Sequence, residues 1–251
     1  MDKAYWNRMG RAYDDEIFDV RANDRNGTVG RAVDALANRK EAAFDFGCGT
    51  GKFSGFLATR FRKVDALDIS ESCLNEARAA CGEHSNIVFQ QADLSAAKTT
   101  FPAARFGLCV NVLLSESHRR RQGILKFMER HIRRGGHLAI VVPALESVLL
   151  TSARRIQWNL KDGLSYGSAA KGDESHLAAK GASISHGLIT IAGVPTKHYL
   201  KEELEMTLGE FSFEMQLAEK VEYEWSSEFT EPPEWMREPY PWDWLAVAKR
   251  V

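Results

Sequence analysis

The segment Asp45-Phe46-Gly47-Cys48-Gly49-Thr50-Gly51 constrains the chain most. It follows a short apolar run, Ala42 to Phe46, and precedes a helical pattern, so three glycines at alternate positions separate a buried strand from a helix. Glycine tolerates the left-handed backbone of a tight turn and lets the main chain approach a ligand closely. The start of the following helix offers unpaired N–H groups beside that turn. The flanking pattern repeats the strand–helix alternation. Strands are expected at 42–46, 63–69, 86–91, 106–114 and 137–142. Helices are expected at 4–20, 28–38, 52–62 and 71–81, with Ser70 capping the last, and again where Ile124, Phe127, Met128 and Ile132 fall at helical spacing. Such alternation implies parallel βαβ units and a doubly wound α/β sheet.

The pattern changes after Pro143. A helix is expected over 146–160. Residues 161–187 are rich in Gly, Ser, Ala and Lys without a clear period, and are too long for an ordinary connection, which reads as a lid or a mobile insertion. A helix at 199–208, an edge strand over 213–225 and a last strand over 242–248 complete the chain. Pro232, Pro233, Pro239 and Pro241 make the final connection irregular. Lys and Arg number 33 against 34 Asp and Glu, a balance that argues against a dedicated nucleic-acid binder. No stretch reaches the roughly 18 apolar residues of a membrane span, and the first residues lack the apolar segment of a signal peptide. Cys48, Cys73, Cys81 and Cys109 show no CxxC spacing, so neither a metal site nor a disulfide framework is expected, and buried thiols in a cytoplasmic setting are the plain reading.

Three nucleotide-binding loops compete for the glycine segment. A Walker loop needs GxxxxGK followed by Ser or Thr, and fails because positions 46 and 53 are Phe. A dehydrogenase fingerprint needs GxGxxG, and the third glycine falls one residue early at Gly51. An acidic residue, an apolar residue and GxGxG remain, and this resembles motif I of the class I, Rossmann-like S-adenosylmethionine-dependent methyltransferases. The resemblance extends over roughly residues 5–143 and the final strands. It implies a mostly parallel seven-stranded sheet with an antiparallel last strand, S-adenosylmethionine as cofactor and S-adenosylhomocysteine as product. It also implies one domain built from a helical cap (1–40), a cofactor-binding core (41–143), a substrate-side, lid-like insertion (144–197) and a last helix and strand pair (198–251).

Site residues follow from the same resemblance. Asp45, Gly47, Cys48, Gly49 and Gly51 form the loop, with Asp45 helping to place the cofactor's amino group. Asp68, at the end of the second strand, would accept from the ribose hydroxyls, and Ile69 would lie against adenine. In Gln91-Ala92-Asp93-Leu94, Asp93 would accept from the adenine amino group while the Leu94 N–H reaches the ring. The backbone near Asn111 and Val112 would meet the methionine part, and Arg133 to Leu138 matches the family's turn before strand five. Tyr5, Trp6, Asn7, Tyr13 and Asp14 resemble a leading helix whose Tyr13 covers the methionine end; the same residues also suit an amphipathic helix packed on the domain. Gly107 stands where many relatives carry Asp.

Methyl transfer from a sulfonium releases a neutral thioether, so alignment and exclusion of water dominate, and a base matters only if the acceptor must lose a proton. Glu116 and His118 are the candidate catalytic bases, with helix capping as their alternative. His176, His186 and His198 lie in or beside the insertion. Tyr166, Trp158 and Tyr199 offer an aromatic wall or ordinary core. Arg119 to Arg121, and Arg130 with Arg133 and Arg134, suit an anionic partner or a solvated face. Trp225, Trp235, Trp242 and Trp244 pack the last strands or border the acceptor. The leading expectation is a methyltransferase for a small-molecule acceptor presenting N, O or S, without an AsnProProTyr-type motif. An RNA or protein methyltransferase and a non-catalytic cofactor-binding protein are the alternatives. Oligomeric state is not legible.

Overall fold

Ala42–Phe46 (β1) and Lys63–Asp68 (β2) are near-continuous apolar runs buried along almost their whole lengths. That is the signature of central parallel strands covered on both faces. The computed structural model describes residues 6, 18–96, 98–171, 181–191 and 193–251. The remaining strands of the main sheet are Ile87–Gln91 (β3), Ala104–Val110 (β4), Ile132–Pro143 (β5), Phe213–Glu222 (β8) and Trp242–Arg250 (β9). Leu188–Ile191 (β6) and Val194–Lys197 (β7) form a separate antiparallel hairpin. The sheet has seven strands in the order β3-β2-β1-β4-β5-β9-β8. β1 pairs in parallel with both β2 and β4, whereas β9 runs antiparallel to β5 and β8. The strand order therefore reverses between β1 and β4, and in open α/β sheets ligands bind outside the carboxyl ends of the strands at such a point.

Helices cover both faces: Val20–Asn23 (α1), Thr28–Leu36 (α2), Ser54–Ala58 (α3), Glu71–Ala80 (α4), His118–His131 (α5), Leu145–Lys161 (α6), Tyr166–Lys171 (α7) and Lys201–Gly209 (α8). On one face Phe44, Phe46 and Ile140 pack with Phe127, Met128 and Leu204. On the other, Ala43, Val64 and Leu245 pack with Val29, Val33 and Leu57. Phe44 and Phe46 stack on one another at 4.9 Å, which explains Gly107. A Cβ at Gly107 would lie 2.5 Å from the Phe46 ring and 2.8 Å from Ile132, so the space of an acidic side chain is filled by core.

Several boundaries differ from expectation. β4 ends at Val110 rather than 114, because Asn111 adopts φ 52° and turns the chain out of the ladder. The helix expected over 52–62 is confined to Ser54–Ala58, since the glycine turn continues through its predicted start. β5 begins at Ile132, five residues early, taking in Gly135 at φ 74°. Asp19, extended, caps α1 by accepting from the Ala22 N–H, so a continuous helix does not run through to Val20. Of the residues expected to form the leading helix, only Trp6 and 18–20 are described, and Tyr13 lies outside the described residues. The β6–β7 hairpin has no counterpart in the sequence reading. Among the described residues no helix is long and apolar enough to cross a membrane.

Candidate functional site

The glycine turn leaves β1 with Gly47, Gly49 and Gly51 all at positive φ, 73°, 53° and 84°. The Gly47 and Cys48 N–H groups donate to the Leu67 carbonyl at 2.7 and 3.0 Å, which draws the turn across the end of β2. A Cβ on Gly47 would stand 2.3 Å from Val112 Cγ2, and one on Gly51 would stand 3.0 Å from the Ala77 side chain. The spacing of the glycines thus meets two packing limits, one against the turn after β4 and one against α4, besides the demand for a left-handed backbone.

Two buried carboxylates flank this turn. Asp45, 3% exposed, accepts from the Ser54 hydroxyl at 2.6 Å. Burial pushes its carboxyl up to about 7, opposed by the Ser54 hydrogen bond and reinforced by the nearby Asp68 charge. Asp68 accepts from the Gly49 N–H at 2.9 Å and from the Ser70 N–H at 2.8 Å, one on each oxygen. Burial raises its pKa too, and the backbone donors oppose that. Each carboxylate oxygen keeps lone-pair capacity for a further donor.

Both carboxylates open into a cavity of about 680 Å³, which also takes in Gly47, Cys48, Ile69, Asp93, Leu94 and Asn111. Of the loop residues named from sequence, Gly49 and Gly51 do not line it; they hold the turn in place. Asp93 is fixed by Ser95, whose N–H and hydroxyl donate to it at 3.0 and 2.6 Å, and by Arg120 at 3.4 Å. Trp6 closes this end, its carbonyl accepting from the Ser70 hydroxyl at 3.3 Å. Asp19, also in the wall, pairs with Lys52 at 2.8 Å. Thr50 Oγ1 and Asn111 Oδ1 are buried in the wall without a protein partner among the described residues.

Past Asn111 the same cavity is walled by a second set of elements, and this end of it is called the second chamber. Asp243, at the start of β9, accepts from the Tyr223 hydroxyl at 2.8 Å and from Asn111 Nδ2 at 3.5 Å. Burial lifts its carboxyl to about 6. Ser147, Thr151 and Arg155 enter from α6, and Ile189, Thr190 and Thr196 from the hairpin. The hairpin is tied to the turn after β4 by the Lys197 N–H, which donates to the Leu114 carbonyl at 2.9 Å, and by a bridge between Ser115 and Thr196. His198 lines the chamber while 4% exposed. Its Nδ1 lies 3.0 Å from the Thr196 carbonyl, which only accepts, so Nδ1 carries the proton and Nε2 keeps its lone pair. Burial depresses its pKa to about 4, which keeps the ring neutral.

Glu116 and His118 are exposed and outside the cavity lining. Ser117, not His118, caps α5, accepting from the Arg120 N–H at 3.4 Å, and the Glu116 carbonyl accepts from Arg121. The aromatic wall is not formed. Tyr166 is 69% exposed, Trp158 packs edge-on against Phe229, and Tyr199 is core, its hydroxyl donating to the Leu113 carbonyl at 2.9 Å. His186 is exposed and His176 lies outside the described residues. The triple arginine divides: Arg119 is exposed, Arg120 reaches Asp93 and Arg121 holds the Ser115 carbonyl at 2.6 Å. Arg133 pairs with Glu41 at 2.6 Å. Sequence reasoning missed Asp243, Tyr223 and Glu228, although one acidic residue inside the apolar run Trp242 to Ala248 was a usable signal.

A family model described as a methyltransferase domain matches residues 43–136, the span from β1 to the start of β5 that carries the turn, Asp45, Asp68, Asp93 and Asn111. The trans-aconitate 2-methyltransferase of Deinococcus radiodurans is 30% identical over 123 residues, covering 48% of this chain and 46% of that protein, so the chain spans about half the length of the curated relative it matches. Solved structures share the fold at lower identity. An S-adenosylmethionine-dependent methyltransferase of Methanosarcina mazei aligns with TM-score 0.63 at 17% identity, over 88% of this chain and 97% of that one. The magnesium protoporphyrin IX methyltransferase of Synechocystis PCC 6803 with bound SAH aligns with TM-score 0.61 at 15% identity, over 99% and 98%. Domain match, strand order and the turn at the reversal point agree: residues 43–136 match a methyltransferase domain, and the chain has the fold of these solved S-adenosylmethionine-dependent methyltransferases.

Proposed function

We propose that the chain binds S-adenosylmethionine beside the glycine turn and transfers its methyl group to a small molecule held in the second chamber. One observation carries this reading: the cavity that begins at Asp45 and Asp68 continues past Asn111 into a chamber walled by the hairpin, α6 and β9. Its volume lies within the ~300–1,000 Å³ of small-molecule sites. The residues present fit the cofactor. Two buried carboxylates, raised by desolvation and without a cation paired to them among the described residues, gain most from a ligand carrying positive charge. The unpartnered Thr50 Oγ1 and Asn111 Oδ1 offer further polar contacts.

In this reading Asp45 faces the cofactor's amino group, Asp68 the ribose hydroxyls, Ile69 and Leu94 the adenine faces and Asp93 the adenine amino group. Gly47 and Cys48 supply close backbone, Asn111 borders the methionine part, and Gly49 and Gly51 act by shaping the turn. When bound, S-adenosylmethionine supplies an electrophilic methyl group whose leaving group is a neutral thioether. The chain's own residues bind and orient the two partners and keep water out. His198 Nε2 is a neutral hydrogen-bond acceptor in the chamber wall, whereas Glu116 and His118 lie outside the lining.

The test is transfer of labelled methyl from S-adenosylmethionine to a whole cell extract that retains its metabolites, separated after the reaction into small-molecule, RNA and protein fractions. Label in the small-molecule fraction is expected. Label confined to RNA or protein would replace the reading with a macromolecular acceptor, and no transfer despite cofactor binding would leave a non-catalytic binder.

A further inference from the structure

The second chamber carries more negative than positive charge. Asp243 is held on Oδ2 by Tyr223 and Asn111, both neutral, and Oδ1 has no protein partner among the described residues. Glu228, an exposed loop residue, also lines this end with its carboxyl, which is raised first by partial desolvation and then by Asp243, while Arg155 opposes the shift. Arg155 is the one cation in this part of the wall among the described residues, with its guanidinium 5.6 Å from the Phe229 ring. Among the described residues, two carboxylates against one guanidinium leave a net negative charge at this end of the cavity. Independently, Thr190 Oγ1 and Trp242 Nε1, on residues 9% and 7% exposed, line the same chamber without a hydrogen-bond partner among the described residues, as in a pocket built for a polar ligand.

We propose that the methyl acceptor is an amine that docks as its cation, with the ammonium group against Asp243 and Glu228. It passes one N–H proton to the Asp243 carboxylate, so that the freed nitrogen lone pair forms the new N–C bond as the methyl–sulfur bond breaks and the neutral thioether leaves. The inference rests on the methyltransferase reading above and adds the acceptor's chemical class. A buried carboxylate without a cation carries an uncompensated desolvation cost, which a ligand ammonium offsets through charge-assisted hydrogen bonds. A carboxylate acceptor, of the kind for which the Deinococcus relative is named, would bring like charge to the same wall, which disfavours it. The Tyr223 hydroxyl and Asn111 Nδ2 hold the Asp243 carboxylate in one orientation, so the ammonium meets a fixed acceptor rather than a mobile one.

Calorimetric titration of the full chain, with and without saturating S-adenosylhomocysteine, tests this. The probes are a panel of aliphatic and aromatic primary amines with the matched alcohols and carboxylates. Amines are expected to bind about tenfold or more tighter than their matched partners, the size of a lost charge-assisted hydrogen bond. D243N is expected to abolish that preference while S-adenosylhomocysteine affinity stays within about twofold. E228Q, on an exposed loop residue, is expected to weaken amines severalfold, and carries the test if D243N fails to fold. Equal or tighter binding of carboxylates or alcohols, or no amine preference across the panel, would overturn the proposal. So would a D243N variant that loses S-adenosylhomocysteine and keeps the amines, because Asp243 would then belong to the cofactor. Failure of S-adenosylhomocysteine itself to bind refutes the cofactor reading separately, and the amine titration on the free chain still decides the acceptor class.

Discussion

Asp68→Ala removes the carboxylate that receives the Gly49 and Ser70 N–H groups at 2.9 and 2.8 Å and that faces the cavity. If the ribose hydroxyls donate to the same carboxylate, the variant loses two hydrogen bonds to a charged acceptor. Each is worth ~1.5–3 kcal/mol, so the loss is ~3–6 kcal/mol, or about 10²–10⁴-fold in Kd. Part of any loss could instead come from slackening of the turn at Gly49. The assay therefore pairs S-adenosylhomocysteine with its 2′,3′-dideoxyribose analogue in a double cycle by titration calorimetry. The wild-type chain is expected to discriminate strongly between the two ligands, and Asp68→Ala to bind both alike. Unchanged affinity for S-adenosylhomocysteine in the variant would refute the assignment of Asp68. Equal losses for both ligands would show that Asp68 acts only by holding the turn.

Three further outcomes are expected. The Asp45 carboxyl is raised from 3.8 to about 7, so its protonated form favours the fold. Its stabilising contribution is complete below the unfolded value and is lost as pH rises through about 7, and a cationic ligand should reverse that loss. Cofactor affinity should accordingly climb from pH 5.5 and level off above about 7, with roughly one proton released near pH 6, and Asp45→Asn should flatten the profile in calorimetry across buffers. Gly47→Ala places a Cβ 2.3 Å from Val112 Cγ2 at φ 73°, and should cost ~1–3 kcal/mol of stability in denaturant melts together with most of the cofactor affinity; a variant as stable as the parent would contradict the packing described. Gly107→Asp should lower the melting temperature by several degrees, because the new side chain meets Phe46 at 2.5 Å and buries a charge, ~1–3 kcal/mol or more; an unchanged Tm would mean that the Phe44–Phe46 stack yields easily.

Much of the cavity end at the glycine turn was legible because its signals are local. Ala42 to Phe46 reads as a buried strand, three glycines demand a special backbone, and an acidic residue ends the next strand, so Asp45, Gly47 and Asp68 could be placed from spacing and resemblance. The other end of the cavity is assembled from residues far apart in sequence. Tyr223, Asn111 and Asp243 meet only because β9 inserts between β5 and β8, a pairing that no window of sequence reports. His198 read as a loop histidine because its burial depends on the hairpin folding over it. That hairpin passed unnoticed since its two four-residue strands are short and adjoin a glycine-rich stretch. Glu116 and His118 drew attention by lying just beyond β4, but the turn at Asn111 redirects the chain, and Ser115 rather than either of them lines the cavity. Strand ends resist prediction where one residue's backbone, such as Asn111 at φ 52°, ends a ladder whose side chains would permit it to continue.

The most direct test of a cofactor site built from the glycine turn and its two buried carboxylates is calorimetric titration of the full chain with S-adenosylmethionine. Saturable binding at one site per chain is expected, lost in the double variant Asp45→Ala/Asp68→Ala while circular dichroism stays native. No saturable heat in the wild-type chain, or undiminished binding in a folded double variant, would contradict it.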